Sequence, residues 1–267
     1  MIKTIAILGP EYSFSHLAGL KLFPEGKFLF CNRIEDIFKT ITRADTTADE
    51  TLGMVPLENM LQGTVRETLM SLLNYQVKIH KSCSVPIHHC LAAKSVGFTT
   101  IASHAQALAQ CARFLEGKKT VEQVSTSKAM QAATEDNTLA AIGSREAAQY
   151  YGLTVLQDNI EDNHDNVTRF VVISAEPCPD KGARTSLMVH PKEDRPGLLF
   201  TILAPFATQG INLTKIESLP SGKKLGEYIF YIEIAGNSSE LKVKSAIDFL
   251  KNSAEVYSFG SYDVVEM

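Results

Sequence analysis

Short apolar runs alternate with stretches whose apolar positions recur at helical spacing, and this rhythm organises the first two thirds of the chain. Thr4–Leu8 reads as a buried strand, and after Ser13 the residues Phe14, Leu17, Ala18 and Leu22 fall on one helical face. Residues 28–31 form the next strand, and Ile34, Ile37, Phe38 and Ile41 mark an amphipathic helix. A strand over 52–56 and a helix around 65–73 follow. The spacing then predicts a strand at 100–102 and a helix from Ser103 that carries Ala107, Leu108, Cys111, Phe114 and Leu115 on one stripe. Residues 120–124 lead to a helix beginning near 125–127, and 139–142 to a helix that ends at Gly152, a natural left-handed cap. The run Thr-Arg-Phe-Val-Val-Ile-Ser at 168–174 is the last strand of this region. Such βαβ alternation predicts an α/β fold with a largely parallel sheet and helices on both faces.

The texture changes at 175–184, where two prolines and a glycine read as a linker. Beyond it the pattern predicts strands at 185–190, 211–218, 227–234 and 255–262, with helices at 197–208 and 240–252. Their order, β-α-β-β-α-β, is the ferredoxin-like arrangement. The chain therefore divides into an α/β region at 1–175 and a compact unit at 184–267. No internal repeat interrupts either part.

Bulk properties narrow the possibilities. The 267 residues are 45% hydrophobic and 21% charged, as in ordinary globular proteins, and a net charge of −4 argues against a general nucleic-acid binder. The five cysteines are scattered, odd in number and without a CxxC spacing, which suits reduced thiols in the cytoplasm. The apolar start ends too soon, at Gly9-Pro10, to be a signal peptide, and no stretch has the length of a membrane span.

Candidate chemistry clusters where polar groups follow strands or open helices, the positions at which open α/β sheets bind ligands. Gly9-Pro-Glu-Tyr-Ser-Phe-Ser15 lacks dinucleotide spacing, but Ser13 and Ser15 stand at a helix start, which favours an anion. The segment from Val55 to Arg66 collects Asn59, Gln62 and Thr64 around Gly63. Ser103-His-Ala-Gln106 and Ser125-Thr-Ser-Lys128 are two further hydroxyl-rich helix starts. In Asp162-Asn-His-Asp-Asn-Val-Thr-Arg-Phe170 a polar loop feeds an apolar strand, and Arg169 needs either an acidic partner or a bound anion. The histidines do not build a metal site: His88 and His89 are adjacent and point apart on a strand, while His104 and His164 read as structural or surface residues.

Taken together and in order, these segments resemble prephenate dehydratase. The resemblance runs through Gly9-Pro-Glu-Tyr-Ser-Phe-Ser15, Val55-Pro-Leu-Glu-Asn59 with Gly63, Ser103-His-Ala-Gln-Ala-Leu108 and Ser125-Thr126. It continues through Gly152-Leu, Asn166-Val-Thr-Arg-Phe170 and Gly210-Ile-Asn-Leu-Thr-Lys-Ile-Glu-Ser218. It implies a two-lobed catalytic domain of periplasmic-binding-protein type at 1–175, with the substrate in the cleft, and an ACT regulatory domain at 184–267. It further implies a lyase that makes phenylpyruvate from prephenate without cofactor or metal, inhibited by L-phenylalanine, as a homodimer or homotetramer. No nucleic acid or membrane partner is implied.

Under this resemblance Thr168 assists departure of the hydroxyl, and Ser13, Asn59, Ser125, Thr126, Arg169 and Phe170 bind substrate. The effector falls to Gly197, Leu198, Leu199, Asn212, Leu213, Glu217 and Ser218, and acts on the cleft through the short linker. The alternatives are a prephenate decarboxylase of the same fold and a non-catalytic amino-acid sensor. Four positions depart from the family pattern: Tyr12 stands where glycine is common, Met60 where a small polar residue follows Glu-Asn, Met70 in place of a frequent acid, and Leu219 in place of an arginine.

Overall fold

The computed structural model describes residues 3–43, 51–176, 181–222, 224 and 226–267; Cys178, with the rest of 177–180 in the expected linker, lies outside them. The first lobe comprises β1 (Thr4–Leu8), α1 (Phe14–Leu22), β2 (Lys27–Cys31), α2 (Ile34–Ile41), β3 (Thr51–Asn59), β4 (Gly63–Thr64), α3 (Arg66–Tyr75) and β5 (Lys78–Pro86). The chain then crosses into a second lobe of β6 (Cys90–Ala93), β7 (Thr100–Ser103), α4 (Ala105–Gln110), α5 (Ala112–Leu115), β8 (Thr120–Glu122), α6 (Thr126–Glu135), β9 (Leu139–Gly143), α7 (Arg145–Tyr150) and β10 (Thr154–Gln157). It returns to the first lobe as β11 (Val167–Ser174). Two crossings between two α/β lobes leave a cleft at the hinge.

The sheets are less parallel than the βαβ rhythm predicts. β1 runs parallel to β2 and β3, but β11 enters from the other lobe and lies antiparallel between β3 and β5. In the second lobe β7 is parallel to β8 and β9, whereas β6 runs against β9 and β10. The pattern also misses β5, β6 and β10, and its helix from Ser103 is divided in two at Cys111.

The C-terminal unit has the expected order: β12 (Arg184–Pro191), α8 (Leu198–Thr208), β13 (Leu213–Pro220), β14 (Tyr228–Ala235), α9 (Leu241–Leu250) and β15 (Ala254–Glu266). One face of its sheet buries Leu187, Val189, Ile232 and Ile234 under Ile202 and Phe206 of α8 and Val243 and Ile247 of α9. The other face packs on the first lobe, where Leu219, Ile229, Tyr231 and Phe259 share a core with Val55, Leu57, Leu69 and Leu72. Leu219 is therefore an interdomain core residue. Its burial contributes about 1.5–3 kcal/mol, which a solvated arginine would not supply.

A further tie is absent from the sequence reading. β15 runs past the expected end, and Asp263–Glu266 pair in parallel with residues 81–84 of β5. One continuous ten-stranded sheet thus joins both units, in the order β13-β14-β12-β15-β5-β11-β3-β1-β2, with β4 beside β3. The 175–184 segment is not the sole connection between them.

Candidate functional site

The cleft between the lobes holds a cavity of about 550 Å³. Each lobe contributes the N-terminus of a helix to it. Ser13 caps α1, its hydroxyl accepting the His16 N–H at 3.3 Å and donating to the Leu8 carbonyl at 3.1 Å. Ser125 caps α6 and accepts the Lys128 N–H at 3.1 Å. Ser13, Phe14, Ser15, Ser125 and Thr126 all line the cavity, so these two helix N-termini reach it, as do the caps of α3 and α4 at Val65 and His104. Each end carries roughly half a positive charge, which suits an anion.

The floor is built by β3 and β11, where Asn59 pairs in register with Thr168. Asn59 is buried and fully used. Its amide nitrogen donates to Asn166 Oδ1 and to Thr168 Oγ1, both at 2.9 Å. Its amide oxygen accepts the N–H groups of Leu61 and Gln62 at 3.1 and 3.2 Å. The same side chain thus folds the turn to Gly63, whose φ of +76° only glycine adopts cheaply, and orients the Thr168 hydroxyl. Because Thr168 Oγ1 accepts from Asn59, its own hydrogen remains available to donate.

Of the residues predicted from sequence, Ser13, Asn59, Ser125, Thr126, Thr168 and Phe170 line the cavity, together with Gln62, Gly63, Thr64, His104 and Gln106. Arg169 does not. A strand turns successive side chains to opposite faces, and between Thr168 and Phe170 the guanidinium points to the C-terminal unit. There it makes a two-pronged pair with Glu233 at 2.7 and 2.9 Å, and its Nε lies 2.8 Å from Glu58. Of the two partners left open for Arg169, an acid or an anion, the structure holds acids. The guanidinium expected to bind substrate is held by these carboxylates and is not on the described wall of the cavity. Burial would lower the Arg169 pKa, but Glu233 and Glu58 outweigh it and raise it. Burial would raise Glu58, yet Lys215 and Arg169 hold it below the ordinary carboxylate range.

Two departures from the family pattern find their places. Met60 is exposed and does not line the cavity, its N–H bonded to the Val167 carbonyl at 2.9 Å. Tyr12 adopts a left-handed φ of +55°, which explains the usefulness of glycine there. Its ring stacks on Tyr150 of the second lobe at 4.1 Å, and the Tyr150 hydroxyl donates to Glu11 at 2.8 Å. An interlobe contact takes the place of backbone freedom.

Sequence reasoning missed His89 and Gln110, which also line the cavity. Their rings and amides meet at 2.9 Å, His89 Nε2 to Gln110 Oε1. The alternation that sets His88 and His89 on opposite sides was the available signal, since it sends one of them inward. His88 is turned instead to the buried Glu161, at 2.8 Å.

A second cavity, of about 600 Å³, lies on the C-terminal unit. Gly197, Leu198 and Leu199 line it beside His190, Lys192, Asp194 and Arg195. Asn212, Leu213, Glu217 and Ser218 do not. Glu217 instead accepts the Thr64 hydroxyl at 3.0 Å, at the lip of the cleft.

A hinged α/β cleft with an appended ferredoxin-like unit defines a class of small-molecule-binding protein with a regulatory domain, and comparison with known proteins narrows it. Residues 5–178 match the prephenate dehydratase family and residues 192–252 match the ACT domain. The chain belongs to the prephenate dehydratase family, whose named members are enzymes. A prephenate dehydratase of Methanocaldococcus jannaschii is 38% identical over 259 residues, covering 91% of this chain and 92% of its own. The crystal structure of an Arthrobacter aurescens prephenate dehydratase in complex with L-Phe superposes with a TM-score of 0.88 at 30% identity, covering 97% of this chain and 89% of that one. A structure described as GqqA, a novel type of quorum-quenching acylase, superposes at 0.86 with 25% identity over 98% of each chain.

Proposed function

We propose that the cleft converts prephenate to phenylpyruvate, with Thr168 as the group that assists the leaving hydroxyl. The observation that carries this reading is the Asn59–Thr168 bond, which leaves one hydroxyl hydrogen free at the cavity floor. In the reaction the ring carboxylate leaves as CO₂, its electron pair enters the ring, and the C4–O bond breaks to release hydroxide. The departing oxygen gains negative charge, and a preoriented donor stabilises it. One such donor supplies about 10²–10³ in rate. A threonine is too weak an acid to supply the proton itself, so its role is to donate and orient. Ser13, Ser125 and Thr126 bring the two helix N-termini to the carboxylates, and Phe170 offers a flat wall to the ring as it becomes aromatic.

Arg169 enters this reading as the clamp that holds the catalytic strand to the C-terminal unit, not as a ligand of the substrate. Phenylalanine is the proposed effector, held by Gly197, Leu198 and Leu199 in the second cavity. Glu217 and Thr64 carry its influence to the cleft. Leu199 and Phe200 on α8 and Leu241 and Phe249 on α9 are exposed, and favour a homodimer or homotetramer. Domain limits at 175 and 184 belong to the same proposal. No helix among the described residues is long and apolar enough to cross a membrane. Four buried free thiols, Cys31, Cys83, Cys90 and Cys111, suit a cytoplasmic location. An acylase reading has less support: the Ser13 and Ser125 hydroxyls are engaged as helix caps, and neither has a basic side-chain partner among the described residues.

A turnover assay tests the proposal. Purified protein incubated with prephenate at neutral pH is expected to release CO₂ and phenylpyruvate, and added phenylalanine is expected to slow it. A non-aromatic hydroxylated product would establish the decarboxylase alternative, and phenylalanine binding without any turnover would establish the sensor.

A further inference from the structure

The cleft presents a problem of charge. Prephenate is a dianion under the reading above, yet none of the described residues that line the cavity is Lys or Arg. Arg169 is committed to Glu58 and Glu233. Helix N-termini, among them those of α1, α3 and α6 whose caps Ser13, Val65 and Ser125 line the cavity, offer only partial charges of about half a unit each, with no full cation beside them on the described wall. His89 and His104 are the titratable side chains on the described wall. His104 uses its Nδ1 to accept the Gln106 N–H as the cap of α4.

His89 is differently placed. It is 2% exposed, and Phe14 meets its ring edge-on at 5.5 Å. With Gln110 Oε1 as acceptor, Nε2 carries the hydrogen and Nδ1 is the bare basic nitrogen. That Nδ1 has no partner among the described residues, and neither has the amide nitrogen of Gln110. Gln110 is itself only 9% exposed. Two neighbouring residues that line one cavity each hold a buried nitrogen without a partner, a cost that a bound group reaching them would remove.

We propose that His89 and Gln110 form a carboxylate subsite, and that His89 takes up a proton as the dianion enters. This rests on the dehydratase reading for the identity of the dianion. A carboxylate only accepts, so it needs two donors, which the Gln110 amide and a protonated Nδ1 provide. The subsite takes the carboxylate of the oxo-acid side chain, which survives in the product. A cation on the ring carboxylate would oppose its departure as CO₂.

The surroundings set the sign. Burial lowers the His89 pKa in the empty cavity; the bond to Gln110 and the charge of Glu161 act against it, and His88 acts with it. Glu161 is buried, yet His88, the His89 N–H and His164 hold it at about 2, so its negative charge is permanent. Cys90 and Cys111 are pushed by burial to about 11 and about 12 and stay neutral. His89 is therefore neutral before binding, and an arriving carboxylate adds the negative charge that favours the imidazolium. Between the free and bound pKa values affinity falls as pH rises, about tenfold per unit.

The test is kcat/KM for prephenate from about pH 6 to about pH 9 in the native enzyme and in His89→Gln, where a histidine response is visible. Calorimetry of phenylpyruvate binding in two buffers of different ionisation enthalpy accompanies it. The native enzyme should lose about tenfold per pH unit over part of that range with kcat nearly level, and take up about one proton per ligand. His89→Gln should lose the slope and the uptake. A pH-flat native kcat/KM, a binding event without proton uptake, or a variant that keeps the native slope would overturn the subsite. Proton uptake without turnover would overturn the dehydratase reading and leave the subsite standing. If His89→Gln does not fold, the native pH profile and calorimetry decide alone.

Discussion

The two cavities of this molecule are nearly equal in size, about 550 and 600 Å³, and opposite in character. No described residue on the wall of the cleft is Asp, Glu, Lys or Arg, whereas Lys192, Glu193, Asp194, Arg195, Glu227 and Glu255 crowd the cavity of the C-terminal unit. The proposed tasks explain the contrast. In the cleft one carboxylate must vanish as CO₂ while a hydroxide appears, so a fixed cation would stabilise the starting state as much as the transition state. Oriented dipoles, amides and one hydroxyl discriminate better there. The second cavity only recognises, and charges of both signs suit an amino acid that carries both.

The largest test of this contrast concerns Arg169, whose charge belongs to neither cavity. Arg169→Ala leaves Glu233, which is 0% exposed, without its bidentate partner. Breaking such a buried pair should cost about 3–5 kcal/mol of stability, read by urea unfolding. In the fraction that remains folded KM for prephenate should change little; a large rise would return Arg169 to the cleft. Next comes Thr168→Ala, expected to lower kcat by about 10²–10³ with substrate still bound. An unchanged kcat would remove the hydroxyl from the mechanism. The smallest effect is expected from Gly197→Ala at the second cavity. Its φ of +79° costs a side chain about 1–2 kcal/mol, so phenylalanine inhibition should weaken about tenfold while basal kcat holds. If basal kcat falls as well, the two cavities are not separable.

Much of the architecture was legible because it rests on local periodicity. Ile34, Ile37, Phe38 and Ile41 announce α2, and they are buried. The β-α-β-β-α-β order of the C-terminal unit was equally open. β5 was not, since Lys78-Ile-His-Lys-Ser-Cys-Ser-Val-Pro86 mixes charge into a strand whose two neighbours come from distant parts of the chain. In the cleft, hydroxyls and amides at helix starts were readable as such, and Ser13 and Ser125 cap the helices their positions suggest. The direction of Arg169 was knowable from strand alternation beside Thr168, but its partners Glu58 and Glu233 are far apart in sequence. His89 and Gln110 meet across 21 residues, and nothing local marks that encounter.

The shared sheet carries a consequence for the order in which the protein is assembled. β5 has β11 on one side and residues 263–266 on the other, so its second row of backbone groups stays unpaired until those residues have been made. Until then the catalytic lobes expose an open strand edge, a template for association with other chains. Loss of four residues near position 266 would recreate that edge in the finished protein, and the damage would appear as aggregation before it appeared as lost regulation.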